Sequence, residues 1–539
     1  MSNSPLSSIL ASLSLDIPGF KGEIQNDSTV REEHSKDASV FKILPASVLY
    51  PKDTEDVQAV VRYVLMNKEI NGKDESNPLT ISVRAGGTCM SGGSLCEGYI
   101  LNLTRHMHKI NIDPEARTAT VSMGAYFRDI EKVAKEHGLM FAPYTSSRLI
   151  CGIGGMIGNN ASGEKSVRHG ATIDNVISVE VVCADGSVIT TGPKSLQGTE
   201  MSRTEKELAE LSKKYGQKLR TAIGDVPKAA SGYRLERILG DQNICDITPI
   251  FIGAQGTLGI VTKAVLKLVP IPKYTSMLLI SINDLASMPQ VLKTIMSCNP
   301  EGVETFDKNT FERAKIHMRD HAKRIEPYFS DDTHVLIIAQ FSEDTEEATK
   351  NKAKECEGLL SGFSVHFVLD NEKNVADSAW EIRRHSFTLM KDYNEPGFRA
   401  VPCIEDVIVP IANFDKFVTS LIQILKKHNV HYGFHGHIGD GSLRIIPIFD
   451  FTESADVVSK KIIALTREVC TLIKSLRGNI SADHSDGIIR TPFLEEFYGS
   501  ELYDAFVQVK KICDPLGIFN PGKKVGGTEE KIRTSLDCD

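Results

Sequence analysis

The run RAGGTCMSGGS at residues 84–94 places four glycines and small hydroxyl side chains directly behind an alternating apolar segment, Ile81, Val83 and Ala85. Glycine lets backbone N–H groups approach a ligand closely, so such a loop can cradle a phosphate; the alternative is a hairpin turn that binds nothing. It is neither a G-x-G-x-x-G fingerprint nor a loop ending in Lys-Ser/Thr, which weighs against a kinase or ATPase. A second cluster, CGIGGMIGNNASGEKSVRHG at 151–170, holds six glycines and two asparagines and has too few bulky side chains to serve mainly as core. A flat ligand lying along backbone explains it better. GAQGTLG at 253–259 is a third glycine-rich turn ahead of an apolar strand, and three such loops together suggest an extended dinucleotide.

The elements that must position these loops alternate along the chain. Asp53 can cap a helix whose stripe is Val57, Val60, Val61, Val64 and Leu65. A strand at 79–85 follows, then a second through Ala119, Val121 and Met123, then a helix with Phe127, Ile130 and Val133 on one face, closed by Gly138. Residues 194–239 read as a Lys/Glu-rich helical stretch. Beyond the prolines near 270, strand-like runs (MLLISI, HVLIIAQF) alternate with amphipathic helices such as 414–428, where Phe417, Val418, Leu421 and Leu425 share a face. The expected division is an N-terminal extension over 1–40, a ligand-binding domain over 41–270, an α+β domain over 271–475, a C-terminal segment over 476–525 and a tail over 526–539.

A net charge of -8 and a pI near 6.1 leave no basic surplus for phosphate backbones, so nucleic acid is not an expected partner. No apolar run approaches the roughly 20 residues of a membrane helix, and the first twenty residues lack the basic region of a secretion signal. The expectation is a cytoplasmic protein, with peripheral attachment to a membrane as the alternative. Eleven cysteines without any C-x-x-C imply reduced, mostly buried thiols and no internal iron–sulfur cluster of ferredoxin spacing.

In order and spacing, RAGGTCMSGGS, PYTSSRLICGIGGMIGNNASG with RHGAT, SGYRL, and FIGAQGTLGIVTKAVLKL resemble the FAD-binding domain of the vanillyl-alcohol oxidase and p-cresol methylhydroxylase superfamily. VPCIEDVIVP, GHIGDGSLRIIP, GNISADHSDGIIRTPFL and DPLGIFNPGK resemble the C-terminal half of its FAD-linked 2-hydroxy-acid dehydrogenases, the D-lactate, glycolate and D-2-hydroxyglutarate group. The resemblance implies an α+β fold: a two-part FAD-binding domain of the vanillyl-alcohol oxidase type, with an α+β substrate (cap) domain inserted before a C-terminal segment that returns to it. It implies that Arg84, Ala85, Gly86, Gly87, Thr88, Ser91 and Gly92 hold the FAD pyrophosphate. Pro143, Ser147, Gly154, Gly155, Asn160, Ser162 and Gly163 would line the flavin, Ile260 would touch it through its backbone, and Asn520 would approach it. Where covalent relatives often carry a histidine this chain reads Gly87-Thr88-Cys89, so FAD is expected to be non-covalent. Tyr144-Thr145 replaces an Asp-Pro common in relatives.

The implied activity is oxidation of a small D-2-hydroxy acid of the lactate, glycolate or 2-hydroxyglutarate type to the 2-oxo acid by hydride transfer to flavin N5. Such a reaction needs a carboxylate anchor, a base for the hydroxyl proton and the flavin. By resemblance Arg383 is the anchor, against the alternative of a surface helix arginine, and His484 is the base. Relatives often hold zinc or manganese with two histidines and a glutamate. Here His437 keeps the first position, but Arg444 stands at the second and Asp483 replaces the glutamate, with His435 nearby. No divalent metal is expected, and His437 and Asp483 remain only weak candidates. Arg444 is read either as a rim salt bridge with Asp440 or Asp486, or as a fixed charge replacing the metal. Trp380 is expected in a core. Because the sequence stops soon after NPGK, electrons are expected to pass to a separate iron–sulfur or quinone acceptor. The alternative function is an FAD-binding subunit with little catalysis of its own that assembles with a redox partner; a flavin-dependent transferase is a third, which no matched motif favours.

Overall fold

The computed structural model describes residues 16–70, 79–241, 243–368, 373–391 and 396–538; of the N-terminal extension, residues 1–15 lie outside these. The first apolar stripe forms helix Thr54–Ile70, with Val57, Val60, Val61 and Val64 fully buried, and the Asp53 carboxylate accepts the Asp56 N–H at 3.0 Å. A four-stranded sheet runs in the order Glu23–Gln25, Ser47–Tyr50, Tyr99–Asn102, Ile81–Arg84. Its last three strands are parallel, and Ser47–Tyr50 is buried along its whole length, as strands covered on both faces are. Ile81–Arg84 feeds directly into the first glycine loop. On its free edge the chain returns from far downstream: Ile81 donates to Ile518 O and accepts from Asn520 N, both at 2.8 Å, which brings Asn520 beside that loop.

A five-stranded antiparallel sheet follows, in the order Ile110–Asp113, Thr118–Ser122, Ile260–Lys267, Val176–Val182, Val188–Thr190. Every second residue of Ile260–Lys267 is buried, the period of a sheet with one face on the core. Helix Phe127–Lys135 buries Phe127 and Ile130 as expected, but Ala134 rather than Val133 completes the buried stripe. The charged stretch becomes helix Arg203–Ile223, opened by a capping box in which Ser202 and Glu205 satisfy each other's backbone N–H groups.

Residues 274–450 build an eight-stranded antiparallel sheet whose centre is Tyr274–Ile282, Val335–Glu343, Gly302–Asp307, His431–Gly436 and Ser442–Asp450. Both faces are buried. Leu278 and Ile280 join the main core, while Met277 and Leu279 point the other way into a second core with Phe306, Phe311 and Trp380. Trp380 is 8% exposed, so the core expectation for it holds. All four anticipated residues of helix Phe414–Lys427 are buried. Among the described residues no helix is long and apolar enough to cross a membrane.

Candidate active site

Gly87 sits in the left-handed region at φ +68°, and a Cβ there would fall 2.4 Å from Arg84 Nη2. The loop bounds a cleft in which Gly86, Gly87, Gly93, Gly154, Gly155, Gly158 and Gly256 present bare backbone, beside Ala85, Thr88 and the side chains of Val83, Cys89, Leu103, Asn159 and Gln255. Thr88, Gly155 and Asn159 also line a larger cavity of about 620 Å³, so the two spaces adjoin. Arg84 Nη1 and Asn520 Oδ1 are buried polar atoms with no hydrogen-bond partner. Asn520 Nδ2 donates at 2.7 Å to both Gly93 O and Gln255 O, joining two walls of the cleft. A glycine-rich cleft beside a roomy chamber fits the pyrophosphate and ring system of FAD. Gly87→Val adds a branched side chain where the backbone is left-handed and a phosphate must come close, so the folded variant should lose FAD on gel filtration. Normal flavin content would show the loop to be misplaced.

His484 lines the larger cavity from a loop of unusual backbone. Asp406, His484 and Ser485 all have positive φ (55°, 56° and 57°), which costs on the order of 1–3 kcal/mol per residue and persists only where surroundings enforce it. Here they do: Ser91 Oγ and Gln255 Nε2 donate to His484 O at 2.9 and 3.1 Å, and Ser485 Oγ donates to Gly253 O at 2.7 Å. The glycine turns therefore hold the histidine loop as well as the cleft. His484 Nδ1 is hydrogen-bonded to the Asp406 carboxylate, with Glu405 Oε1 3.4 Å away, which leaves Nε2 for the cavity. Burial disfavours the imidazolium, but the charges of Asp406 and Glu405 and the bond to Asp406 outweigh it and raise the pKa above the usual 6.5. Burial pushes Glu405 up to about 7. Asp406 is buried too, yet Arg444 and His484 hold it well below the usual carboxylate range.

Arg444 is buried, and its partners are neither Asp440 nor Asp486, which corrects the rim reading: Nε donates to Asp406 Oδ1 at 2.5 Å and Nη2 to Asp483 Oδ2 at 3.2 Å. Asp486 is paired with Lys524 at 2.8 Å. Asp440 is 3.0 Å from the Lys228 ammonium, which is also 3.7 Å from Asp483 Oδ2 and donates to Ser162 Oγ at 2.5 Å. His437 Nε2 has no hydrogen-bond partner and lies 3.7 Å from Asp483 Oδ2. Beside His437 a divalent ion would find that one nitrogen and two carboxylates already engaged: Asp483 by Ser162, Arg444 and Lys228, and Asp440 by Lys228 and Ser166. Glu405, Asp406 and His484 offer donor atoms within 4.8 Å of one another; both Glu405 oxygens lack a hydrogen-bond partner, while Arg444 and the imidazole satisfy Asp406. The donor set around His437, Asp483 and Asp440 does not fit a resident metal.

The larger cavity collects Thr88, Ser147, Gly155, Ser162, Arg444, Asp483 and His484 of the anticipated residues, and Thr145 lines it at the Tyr144-Thr145 replacement. Arg383 is not in its wall. That side chain is 1% exposed and pairs with Glu304 at 2.6 Å, so it is neither a surface arginine nor placed to meet a ligand in the cavity. Glu304 in turn bonds His437 Nδ1 at 2.6 Å, so His437 stands behind Asp483. The adjacent Arg384 faces the cavity, bonded through two nitrogens to Glu164 at 2.7 and 2.8 Å. Pro143, Asn160, Gly163, Ile260, Ser91, Gly92, Arg84 and Asn520 line neither space directly. Asn160 instead ends helix Ile153–Asn159 in the left-handed conformation and donates to Ala229 O at 3.1 Å, and a Cβ on Gly163 would meet Tyr144 O at 1.9 Å. His435 is a buried imidazole whose pKa burial, Arg383 and Arg444 push well below 6.5. Sequence reasoning passed over Asp406, Glu405 and Lys228. The first two lie inside the quoted VPCIEDVIVP, where two adjacent acids in an apolar strand were the available signal.

Residues 45–192 match the family model described as FAD binding domain, and residues 271–524 that described as FAD linked oxidases, C-terminal domain. D-2-hydroxyglutarate dehydrogenase of Pseudomonas putida is 26% identical over 94% of this chain and 50% of its own length. The chain thus spans about half of that relative. Glycolate oxidase subunit GlcD of Bacillus subtilis is 27% identical over 90% of this chain and 89% of its own. Among solved structures, 4-ethylphenol oxidase from Gulosibacter chungangensis superposes with a TM-score of 0.66 at 17% identity, covering 94% of this chain and 95% of its own, a likeness of fold.

Proposed function

The chain belongs to the FAD-linked oxidases, and we propose that it oxidises a small D-2-hydroxy acid of the lactate, glycolate or 2-hydroxyglutarate type to the 2-oxo acid. The observation that carries this is the His484–Asp406 pair, with His484 in the wall of a chamber that adjoins a glycine-rich cleft. FAD, when bound, supplies the acceptor for the substrate's hydride, at N5. His484 Nε2 takes the hydroxyl proton, Asp406 fixing the ring and balancing the imidazolium. Arg444, charged and held rigidly by two carboxylates, faces the oxygen on which negative charge develops. The carboxylate meets Arg148 rather than Arg383: Arg148 lines the cavity and makes no ion pair among the described residues. No step uses a divalent metal.

Anaerobic mixing with D-lactate, glycolate, D-2-hydroxyglutarate and the L-isomers tests this. At least one D-acid should bleach the flavin band near about 450 nm; bleaching by none of them would end the reading.

FAD is held without a covalent bond. Gly87-Thr88-Cys89 carries no histidine, and burial pushes the Cys89 and Cys151 thiols up, away from the reactive thiolate. Acid or chaotrope should therefore release all flavin intact, and flavin left on the precipitated polypeptide would contradict this. The word subunit in the Bacillus subtilis relative's name supports a separate partner chain.

A further inference from the structure

Lys228 lies on none of the glycine loops and its side chain is 3% exposed. Four oxygens surround its ammonium: Ser162 Oγ at 2.5 Å, Asp440 Oδ2 at 3.0 Å, Ser166 Oγ at 3.3 Å and Asp483 Oδ2 at 3.7 Å. They come from the second glycine cluster, the helix Ser166–His169, the turn at 438–440 and the base's own loop. Two of the four are carboxylate oxygens, the partners a buried ammonium requires.

The same carboxylates, with the unpartnered His437 Nε2, would otherwise form a nitrogen-and-oxygen donor set for a divalent cation. Both are already engaged by cations: Asp440 by the ammonium, and Asp483 by the ammonium and by the Arg444 guanidinium, which it shares with Asp406. The arrangement is complete without an ion, and an incoming ion would first meet two fixed cations.

We propose that Lys228 is a built-in cation standing behind Ser162 and Asp483 in place of a divalent metal, and that through these two residues, which line the larger cavity, it positions the wall facing the substrate. That the wall faces a substrate rests on the function proposed above; the exclusion of metal does not.

Purified holoenzyme is dialysed against excess Mn²⁺ or Zn²⁺, passed through a desalting column and its metal measured. Wild type should retain no stoichiometric metal and show the same melting temperature with metal as with EDTA. Lys228→Ala should retain one ion per chain, and Lys228→Ala with His437→Ala should lose it again. One ion per chain on wild type that His437→Ala removes, or a metal-induced rise in its melting temperature, overturns the proposal. So does a folded, flavin-bound Lys228→Ala that takes up no metal. If Lys228→Ala does not fold, the wild-type stoichiometry and melting comparison decide. Failure of every acid to bleach the flavin would remove the proposed function and leave these metal outcomes standing.

Discussion

His484→Ala should lower kcat by about 10²- to 10⁴-fold, the range of a positioned general base, with FAD content and melting temperature close to wild type. The second half of the expectation concerns pH. The base must be unprotonated to act, and its pKa is raised by Asp406 and Glu405. In wild type, kcat/KM should therefore fall as pH drops through a value above 6.5, rather than through an ordinary imidazole's. Asp406→Asn keeps a hydrogen-bonding side chain but removes the charge, so the acid limb should move to lower pH while kcat falls. A structural role alone would leave the limb where it was. An unshifted profile in Asp406→Asn, or a His484→Ala enzyme with undiminished turnover, would mean that the proton leaves by another route.

What the sequence made legible follows the range of the forces involved. The Val57, Val60, Val61 and Val64 stripe and the MLLISI strand are local periodic signals, and burial of one face decides them. Glycine clusters are readable for a similar reason: many residues without side chains in a short run need a close backbone approach, and the cleft has one. Arg383 and Arg384 show the limit. They are neighbours on helix Lys373–Lys391, about 100° apart around its axis, and which one reaches the cavity depends on how that helix is rotated against the sheet. Glu304 draws Arg383 inward and Glu164 holds Arg384 outward, contacts made across 79 and 220 residues that no local pattern announces. Lys228 was invisible on the same ground, since its four oxygen partners come from three separate segments, the glycine cluster at 151–170, the turn at 438–440 and the His484 loop. Asp406 carries a different lesson: its left-handed backbone, φ 55°, has no sequence signature because only tertiary contacts impose it.

Arg444→Met should cost about 2 to 4 kcal/mol of transition-state stabilisation, roughly 30- to 900-fold in kcat/KM, the scale of one preorganised electrostatic donor. Methionine keeps most of the bulk and removes the charge, and flavin content should not change. The buried geometry adds a complication that a rim arginine would not have. The guanidinium bonds Asp406 and Asp483 at once, so its loss strands two buried carboxylates, and removing one partner of such an arrangement commonly destabilises by about 3–5 kcal/mol. A lower melting temperature in Arg444→Met is thus expected and does not by itself explain a lower rate. Arg444→Lys separates the two effects. It restores a positive charge but cannot reach both carboxylates with one rigid fork, so it should recover part of the rate and less of the stability. Chelators should change neither variant nor wild type, because the charge resides in the protein. Arg444→Met with undiminished kcat/KM and a depressed melting temperature would reduce this arginine to a strut between two acids; Arg444→Lys faster than Arg444→Met at equal flavin content would place its charge in the reaction.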